Sequence, residues 1–159
     1  MLLEVNKYVI IIKRLKDMKK MYIISFLIVL VDRITKILVE EFLDGKVLNI
    51  IRNVFYFTNV KNNGAAFSIL ETKVLLLTII SAFAVAFLIY YVAKNDKNNI
   101  GYFFLIGGII GNLFDRIFLG YVIDFIGINI FSYSFPIFNI ADIFIVLGAI
   151  FILFEKDKK

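Results

Sequence analysis

Two aspartates, Asp124 and Asp142, stand beside apolar segments with no Lys or Arg next to them in the sequence. Two carboxyl groups a few ångströms apart cannot both ionise easily, so they share one proton and their apparent pKa values separate. The ionised member can then take a proton from water, while the protonated member donates to a carbonyl oxygen or a leaving amine. This pair is therefore the first candidate for chemistry.

The chain contains no cysteine and no histidine. Their absence excludes disulfides, thiol nucleophiles, Ser-His-Asp catalysis and zinc sites built on His or Cys. Carboxylate and Asn oxygens also suit hard cations, but the sequence offers no ligand-rich loop. We therefore expect no metal and no cofactor, with any acid–base chemistry coming from Asp, Glu, Lys or Tyr.

Other polar residues interrupt apolar segments at helical spacing. Asp32 and Lys36 are four residues apart and would share one helix face, as would Asn112, Asp115 and Arg116. A structural explanation is available for each of them. Asp32 with Lys36, and Asp115 with Arg116, could be ion pairs that tie helices together, and Asn112 could form a helix-to-helix hydrogen bond.

Asn139 and Asp142 are three residues apart at the start of the last apolar segment. Asn139 could likewise bridge helices, and Asp142 could simply complement the positive end of its helix. Because a charge inside a bilayer costs at least a few kcal/mol, each of these residues requires a partner or a function.

The composition predicts a membrane protein. Hydrophobic residues make up 61% and charged residues 19% of the 159 residues, and the mean hydropathy is +0.89. A chain with this composition has too few polar residues to cover a hydrophobic core in water. It is also too hydrophobic to be intrinsically disordered. Four apolar segments are long enough, or nearly so, to span a bilayer as helices: 21–39, 74–93, 100–114 and 137–154.

Basic residues predict the orientation of these helices. Residues 1–20 hold six Lys or Arg, the 94–99 turn and the 156–159 tail hold further lysines, and 117–137 holds none. The positive-inside rule therefore places both termini and the 94–99 turn in the cytoplasm. The polar residues of the helices would then converge on the outer boundary of the membrane. The net charge of +5 reflects this topology and does not indicate nucleic-acid binding.

The predicted fold is mainly α, with four transmembrane helices and a small extracytoplasmic β-subdomain. Residues 1–20 form a basic cytoplasmic extension, which is either an interfacial helix or a segment upstream of the working start, and 21–159 form one membrane domain. Within 46–70, the β-rich runs 47–51 and 54–58 predict a small sheet on the outer membrane surface.

Three classes of function fit these features: a hydrolase that uses the two aspartates, a small proton-coupled transporter, and a non-catalytic assembly or anchoring protein. A transporter is disfavoured because the polar residues gather at one membrane face, whereas transport sites lie near the midplane between repeats.

Five short motifs, taken in order, resemble those of signal peptidase II, the bacterial lipoprotein signal peptidase family. They are Asp-Arg-Ile-Thr-Lys at 32–36, Asn-Asn-Gly-Ala-Ala-Phe at 62–67, the glycine-rich stretch 107–116, Gly-Tyr-Val-Ile-Asp-Phe at 120–125, and Phe-Asn-Ile-Ala-Asp at 138–142. Each motif is weak alone, but five in order are highly specific. Arg33 and Ile123 depart from the family pattern, in which Gln and Val are common, without removing a functional group.

This resemblance implies a four-helix inner-membrane aspartyl peptidase with a β-cradle, formed here by 46–70. It would remove signal peptides from diacylglyceryl-modified prolipoproteins, cleaving just before the lipidated Cys, and would be inhibited by globomycin. Asp124 and Asp142 would be the catalytic pair; the residues that line or support the site would be Asp32, Lys36, Asn62, Gly64, Asn112, Asp115, Arg116 and Asn139. We expect a monomer in the bacterial cytoplasmic membrane with its active site at the outer face.

Overall fold

The computed structural model describes residues 2–64, 73–95, 99–131 and 133–155, with only the backbone given for 2–11, 13–18, 21 and 73. Across these residues the chain forms four helices and a small antiparallel sheet. In chain order the elements are α1 (Leu2–Leu43), β1 (Val47–Ile51), β2 (Phe55–Asn62), α2 (Lys73–Asn95), α3 (Ile100–Phe118), β3 (Val122–Ile130), β4 (Tyr133–Ser134) and α4 (Ile140–Leu153).

The first helix is longer than the sequence predicts. Instead of a span confined to 21–39, α1 runs as one helix of 42 residues, about 63 Å long at 1.5 Å per residue. Residues 2–20 are thus continuous with the helix that carries Asp32 and Lys36. No proline or glycine interrupts this stretch, so nothing in the local sequence ends the helix there.

Two helices are long and apolar enough to cross a membrane by length and composition within the described residues: Val74–Asn95 and Ile100–Phe118. Helix α4 is apolar but has only 14 residues, about 21 Å of helix. It begins at Ile140, later than predicted, because Phe138 pairs with Ile126 of the sheet and Asn139 caps the helix. The count of four spans therefore stays a prediction.

The sheet has the strand order β1-β2-β3-β4. Strand β1 matches the predicted run at 47–51, and β2 starts near the predicted 54–58 run but continues to Asn62. The sheet also takes in β3 and β4, which follow the predicted 46–70 in the sequence. Residues 65–70 lie outside the described part. Strand β3 was not predicted from the sequence. Its first six residues are buried, so its sequence is a nearly continuous apolar run and lacks the polar–apolar alternation of a surface strand.

Helix α3 occupies the middle of the helix bundle, where glycines allow its neighbours to approach closely. A Cβ added to Gly107 would lie 3.0 Å from Ile28 of α1, and one added to Gly108 would lie 2.5 Å from the backbone oxygen of Ala141 in α4. A Cβ on Gly111 would lie 2.8 Å from a carboxylate oxygen of Asp32. Small residues thus bring α1 and α4 against α3 on different faces.

Two clusters of buried hydrophobic residues connect the helices to one another and to the sheet. One joins α2 to α3 through Val92, Tyr102, Phe103 and Ile106. The other joins the last turns of α1 to β3 through Val39, Ile123, Phe125 and Ile126. The second cluster fixes the sheet to the helices, and it places the start of β3 next to α1 and α3.

We expect Gly108→Ala to destabilise the fold by about 1–3 kcal/mol, because the added methyl group overlaps the α4 backbone and overpacks the interface. The measurement is thermal unfolding of the purified protein in detergent, followed by circular dichroism. Val146→Ala, at an exposed position of α4, is the control and should change little. An unchanged unfolding temperature for Gly108→Ala would contradict this account of α3–α4 packing.

Candidate functional site

Lys36 lies at the centre of the polar groups that connect the helices. Its ammonium nitrogen is 2.7 Å from Asp32 Oδ2 and 2.7 Å from Asp115 Oδ2, and it donates to Asn112 Oδ1 at 3.1 Å. The side chains of Lys36, Asp32 and Asp115 are 0% exposed. Fully buried charges are tolerated when they are paired and hydrogen-bonded, as they are here. The predicted pair of Asp32 with Lys36 is confirmed.

Asp115 finds its partners on α1. Arg33 Nη1 is 2.5 Å from Asp115 Oδ1, and the guanidinium carbon lies 5.0 Å from the ring centre of Phe114. The predicted ion pair of Asp115 with its neighbour Arg116 is wrong, because Asp115 faces the interior of the bundle while Arg116 is only half-buried. Arg33 was missed as a site residue, although its spacing of three from Lys36 places both cations near one helix face.

A chain of two amides links the two candidate carboxylates. The Nδ2 of Asn139 donates to Asp124 Oδ1 at 2.7 Å and to Asn112 Oδ1 at 3.0 Å. The Nδ2 of Asn112 in turn donates to Asp142 Oδ1 at 2.7 Å. Asp124 and Asp142, predicted to act together, are therefore joined through Asn139 and Asn112, whose orientations are fixed by these bonds.

The second oxygen of Asp124 is held by β2. Asn62 Nδ2 donates to Asp124 Oδ2 at 2.7 Å, and the backbone N–H of Gly64 donates to Asn62 Oδ1 at 2.8 Å. Gly64 has a φ of 78°, a conformation that glycine adopts without a steric penalty. The turn at Gly64 thus fixes the Asn62 amide so that its N–H points at the carboxylate.

Several groups cap the first turn of α4. Asn139 and Asp142 form a capping box, in which Asn139 Oδ1 accepts from the Asp142 N–H and Asp142 Oδ2 accepts from the Asn139 N–H. Asp32 Oδ1 accepts from the Ala141 N–H at 2.9 Å. Asp142 therefore does complement its helix N-terminus, the structural role considered above, and its other oxygen remains bonded to Asn112.

Burial raises the pKa of Asp124 to about 6, with the nearby charge of Asp142 acting in the same direction. The hydrogen bonds from Asn62 and Asn139 and the charge of Lys36 oppose this shift. Asp124 is 3% exposed, so loss of hydration outweighs the donors that favour its ionised form. Asp124 therefore retains a proton at a higher pH than an ordinary aspartate.

Arg116 joins the site through its charge, which acts on Asp142, Asp124 and Asp115. It forms no ion pair within 4 Å of a carboxylate among the described residues. The other predicted residues, Asp32, Lys36, Asn62, Gly64, Asn112, Asp115, Asn139, Asp124 and Asp142, belong to one connected set of hydrogen bonds and ion pairs. Within the described ranges, no group of three or more acidic side chains is arranged to hold a metal ion.

A cavity of about 340 Å³ lies against Asp124. Its lining comes from the end of β2, from β3 and from the segment before α4: Val60, Lys61, Asn62, Asn63, Asp124, Pro136 and Ile137. A buried carboxyl group that lines a cavity and has a raised pKa is a candidate for proton transfer to a bound molecule.

Comparisons with known proteins agree on one family. The family model for signal peptidase (SPase) II matches residues 24–156. A lipoprotein signal peptidase of Halalkalibacterium halodurans is 38% identical over 145 residues, which cover 87% of this chain and 93% of that protein.

Solved structures of bacterial membrane enzymes resemble the fold. One, determined in meso at 1.9 Å resolution, has a TM-score of 0.78 and 34% identity, covering 85% of this chain and 90% of its own. Another, at 2.3 Å, has a TM-score of 0.76 and 32% identity, covering 89% and 94%.

We expect Lys36→Met to lower the free energy of unfolding by about 3–5 kcal/mol, because it leaves two buried carboxylates without the ammonium group between them. Thermal unfolding in detergent measures the loss, with Lys46→Met, at an exposed position, as the control. Adding Asp32→Asn to Lys36→Met should recover part of the stability, since it removes one uncompensated charge. Equal unfolding temperatures for Lys36→Met and the control would show that the ammonium group is dispensable.

Proposed function

This chain belongs to the signal peptidase II family, and from that premise we propose that it is an aspartyl endopeptidase. Its substrates are diacylglyceryl-modified prolipoproteins, from which it removes the signal peptide by cleaving just before the lipidated Cys. The observation that carries the proposal is the connection of Asp124 to Asp142 through Asn139 and Asn112. Two carboxyl groups joined in this way, of which Asp124 lines a cavity, are the groups that hydrolysis without a metal requires.

The charges of the site support a shared proton. Four carboxylates and three cations gather here, and the network is electrically neutral when one carboxyl group is protonated. The carboxylates are Asp32, Asp115, Asp124 and Asp142, and the cations are Arg33, Lys36 and Arg116. Because an unbalanced charge is costly in a site this buried, the state with one proton is favoured.

We assign the acid role to Asp124 and the base role to Asp142. Burial raises the pKa of Asp124, which suits it to hold the proton. Asp142 accepts one bond from the Asn112 amide and one from the Asn139 backbone N–H at the start of a helix, where the positive end of the helix dipole favours an anion.

In the proposed reaction, Asp142 takes a proton from a water molecule as the water oxygen attacks the scissile carbonyl carbon. Asp124 gives its proton to the carbonyl oxygen, which produces a tetrahedral gem-diol. The C–N bond then breaks, the proton held by Asp142 passes to the departing amine of the lipidated Cys, and one diol hydroxyl returns its proton to Asp124. Both carboxyl groups end in their starting states.

We further propose that all four helices span the bacterial cytoplasmic membrane, with both termini in the cytoplasm and the site at the outer face. A peptidase placed there meets a lipid-anchored substrate without drawing the lipid out of the bilayer. The enzyme would act as a monomer without a cofactor, and compounds of the globomycin type would inhibit it.

Replacing Asp124 or Asp142 by Asn should abolish cleavage, lowering kcat by at least about 10⁴-fold, because the pair can no longer both accept and donate the required protons. The assay follows the loss of a signal-peptide-sized fragment from a purified prolipoprotein in detergent, with and without the diacylglyceryl group. Only the lipidated form should be cut.

The control is Asp44→Asn, which changes an exposed aspartate in the turn directly after α1. This variant should cleave the substrate at the wild-type rate. Circular dichroism must show that the Asn variants remain folded. If folded wild-type protein cleaves no lipidated substrate, the peptidase assignment is overturned. If cleavage survives either site change, the assignment of the two catalytic residues is overturned.

The pH dependence should report the proton on Asp124. Its pKa is raised to about 6, so the protonated fraction falls as the pH rises through that value, and kcat/KM should fall with it. Because of the same shift, the folded protein binds more protons than the unfolded chain between about pH 4 and 6. The free energy of unfolding should therefore decrease as the pH rises across that interval. A profile of kcat/KM against pH and unfolding temperatures at several pH values test both expectations. A kcat/KM that rises steadily from pH 5 to 8 would contradict the acid role of Asp124.

A further inference from the structure

We propose that Arg33 is a positioning residue of this enzyme, which holds Asp115 against the start of β3 and so fixes the strand segment that presents Asp124. This inference rests on the function proposed above. Arg33 does not touch the cavity beside Asp124, and its effect would be transmitted through Asp115.

The two oxygens of Asp115 connect three parts of the fold. Oδ1 binds Arg33 at 2.5 Å, while Oδ2 is 2.7 Å from Lys36 Nζ and accepts the backbone N–H of Ile123 at 3.3 Å. Ile123 is 0% exposed and directly precedes Asp124. The orientation of Asp115 therefore determines where β3 begins, and Asp124 is the next residue along the strand.

Arg33 is held in a way that lysine could not reproduce. Its guanidinium lies over the ring of Phe114, 5.0 Å from the ring centre, while it donates to Asp115. The Arg33 side chain is 18% exposed, whereas Phe114 is 37% exposed and covers the guanidinium from the outside of the helix bundle. A planar guanidinium can stack on a ring and bind a carboxylate at once, whereas a lysine ammonium acts as a compact point charge.

Arg33 also compensates the charge of Asp115 in the network to which Asp124 belongs. Lys36 from α1, Asp142 from α4 and Arg116 from α3 act on Asp124 through their charges. Lys61 of β2 lines the same cavity as Asp124. Lys36 must at the same time compensate Asp32 and Asp115. Without the Arg33 cation, the network has one more net negative charge at the same number of bound protons. More negative surroundings favour the protonated form of Asp124.

The test compares Arg33→Gln, Arg33→Lys and the control Arg52→Gln, an exposed arginine in the turn between β1 and β2. Each is assayed on one diacylglyceryl-modified prolipoprotein for kcat, KM and the pH profile of kcat/KM. We expect Arg33→Gln to lower kcat roughly tenfold, as a small misplacement of a catalytic group does, with KM little changed. The pH midpoint on the alkaline side should move upward, because the cation is gone.

Arg33→Lys keeps the positive charge and removes the planar guanidinium group, so it separates the effect of geometry from that of charge. It should keep the wild-type pH midpoint but recover only part of kcat, and Arg52→Gln should match wild type in every parameter. A folded Arg33→Gln variant with the kcat and pH midpoint of the control would overturn the inference. If Arg33→Gln does not fold, Arg33→Lys decides, because wild-type kcat in that variant would also overturn it. Absence of cleavage by the wild type would overturn the proposed function instead.

Discussion

One buried ammonium group organises the polar interior of this protein. Lys36 contacts two carboxylates and an amide that come from α1 and α3. Through Asp32, which accepts the Ala141 N–H, the same cluster reaches the first turn of α4. Through Asp115, which accepts the Ile123 N–H, it reaches the start of the sheet. Because the side chains of Lys36, Asp32 and Asp115 are 0% exposed, their charges must compensate one another, and the elements that carry them must assemble together.

Asp142, the proposed base, and Asn139, which holds Asp124, also stabilise the start of α4. Asn139 caps α4 and donates to Asp124, while Asp142 completes the capping box and accepts from Asn112. Because each residue forms bonds in both the helix cap and the site, the rotamers of Asn139 and Asp142 are restricted. The two side chains are therefore held in place before a substrate arrives. The backbone of a helix end and the hydrogen bonds of the site thus stabilise each other.

The sheet, and not a helix, positions Asp124. Asp124 stands on β3, where Asn62 of β2 holds one of its oxygens, and the cavity beside it is lined by β2 and the segment before α4. A strand places successive side chains on opposite faces. Ile123 and Phe125 can therefore pack into the cluster with Val39 while Asp124 turns towards Asn62. Burial on one face and polar contact on the other come from the same short strand.

The sequence by itself determined the strand at 47–51 and the pair formed by Asp32 with Lys36, because both follow from local composition or spacing. Its composition predicts a membrane protein and its two unpaired aspartates predict the catalytic pair. It could not determine the partner of Asp115, which lies 82 residues away at Arg33, or the strand at Val122–Ile130, whose burial removes any alternating pattern. Only the tertiary structure decided these features. Close packing at glycines such as Gly111 brings α1, α3 and α4 together, and a buried charge pairs with whatever opposite charge that packing brings within reach.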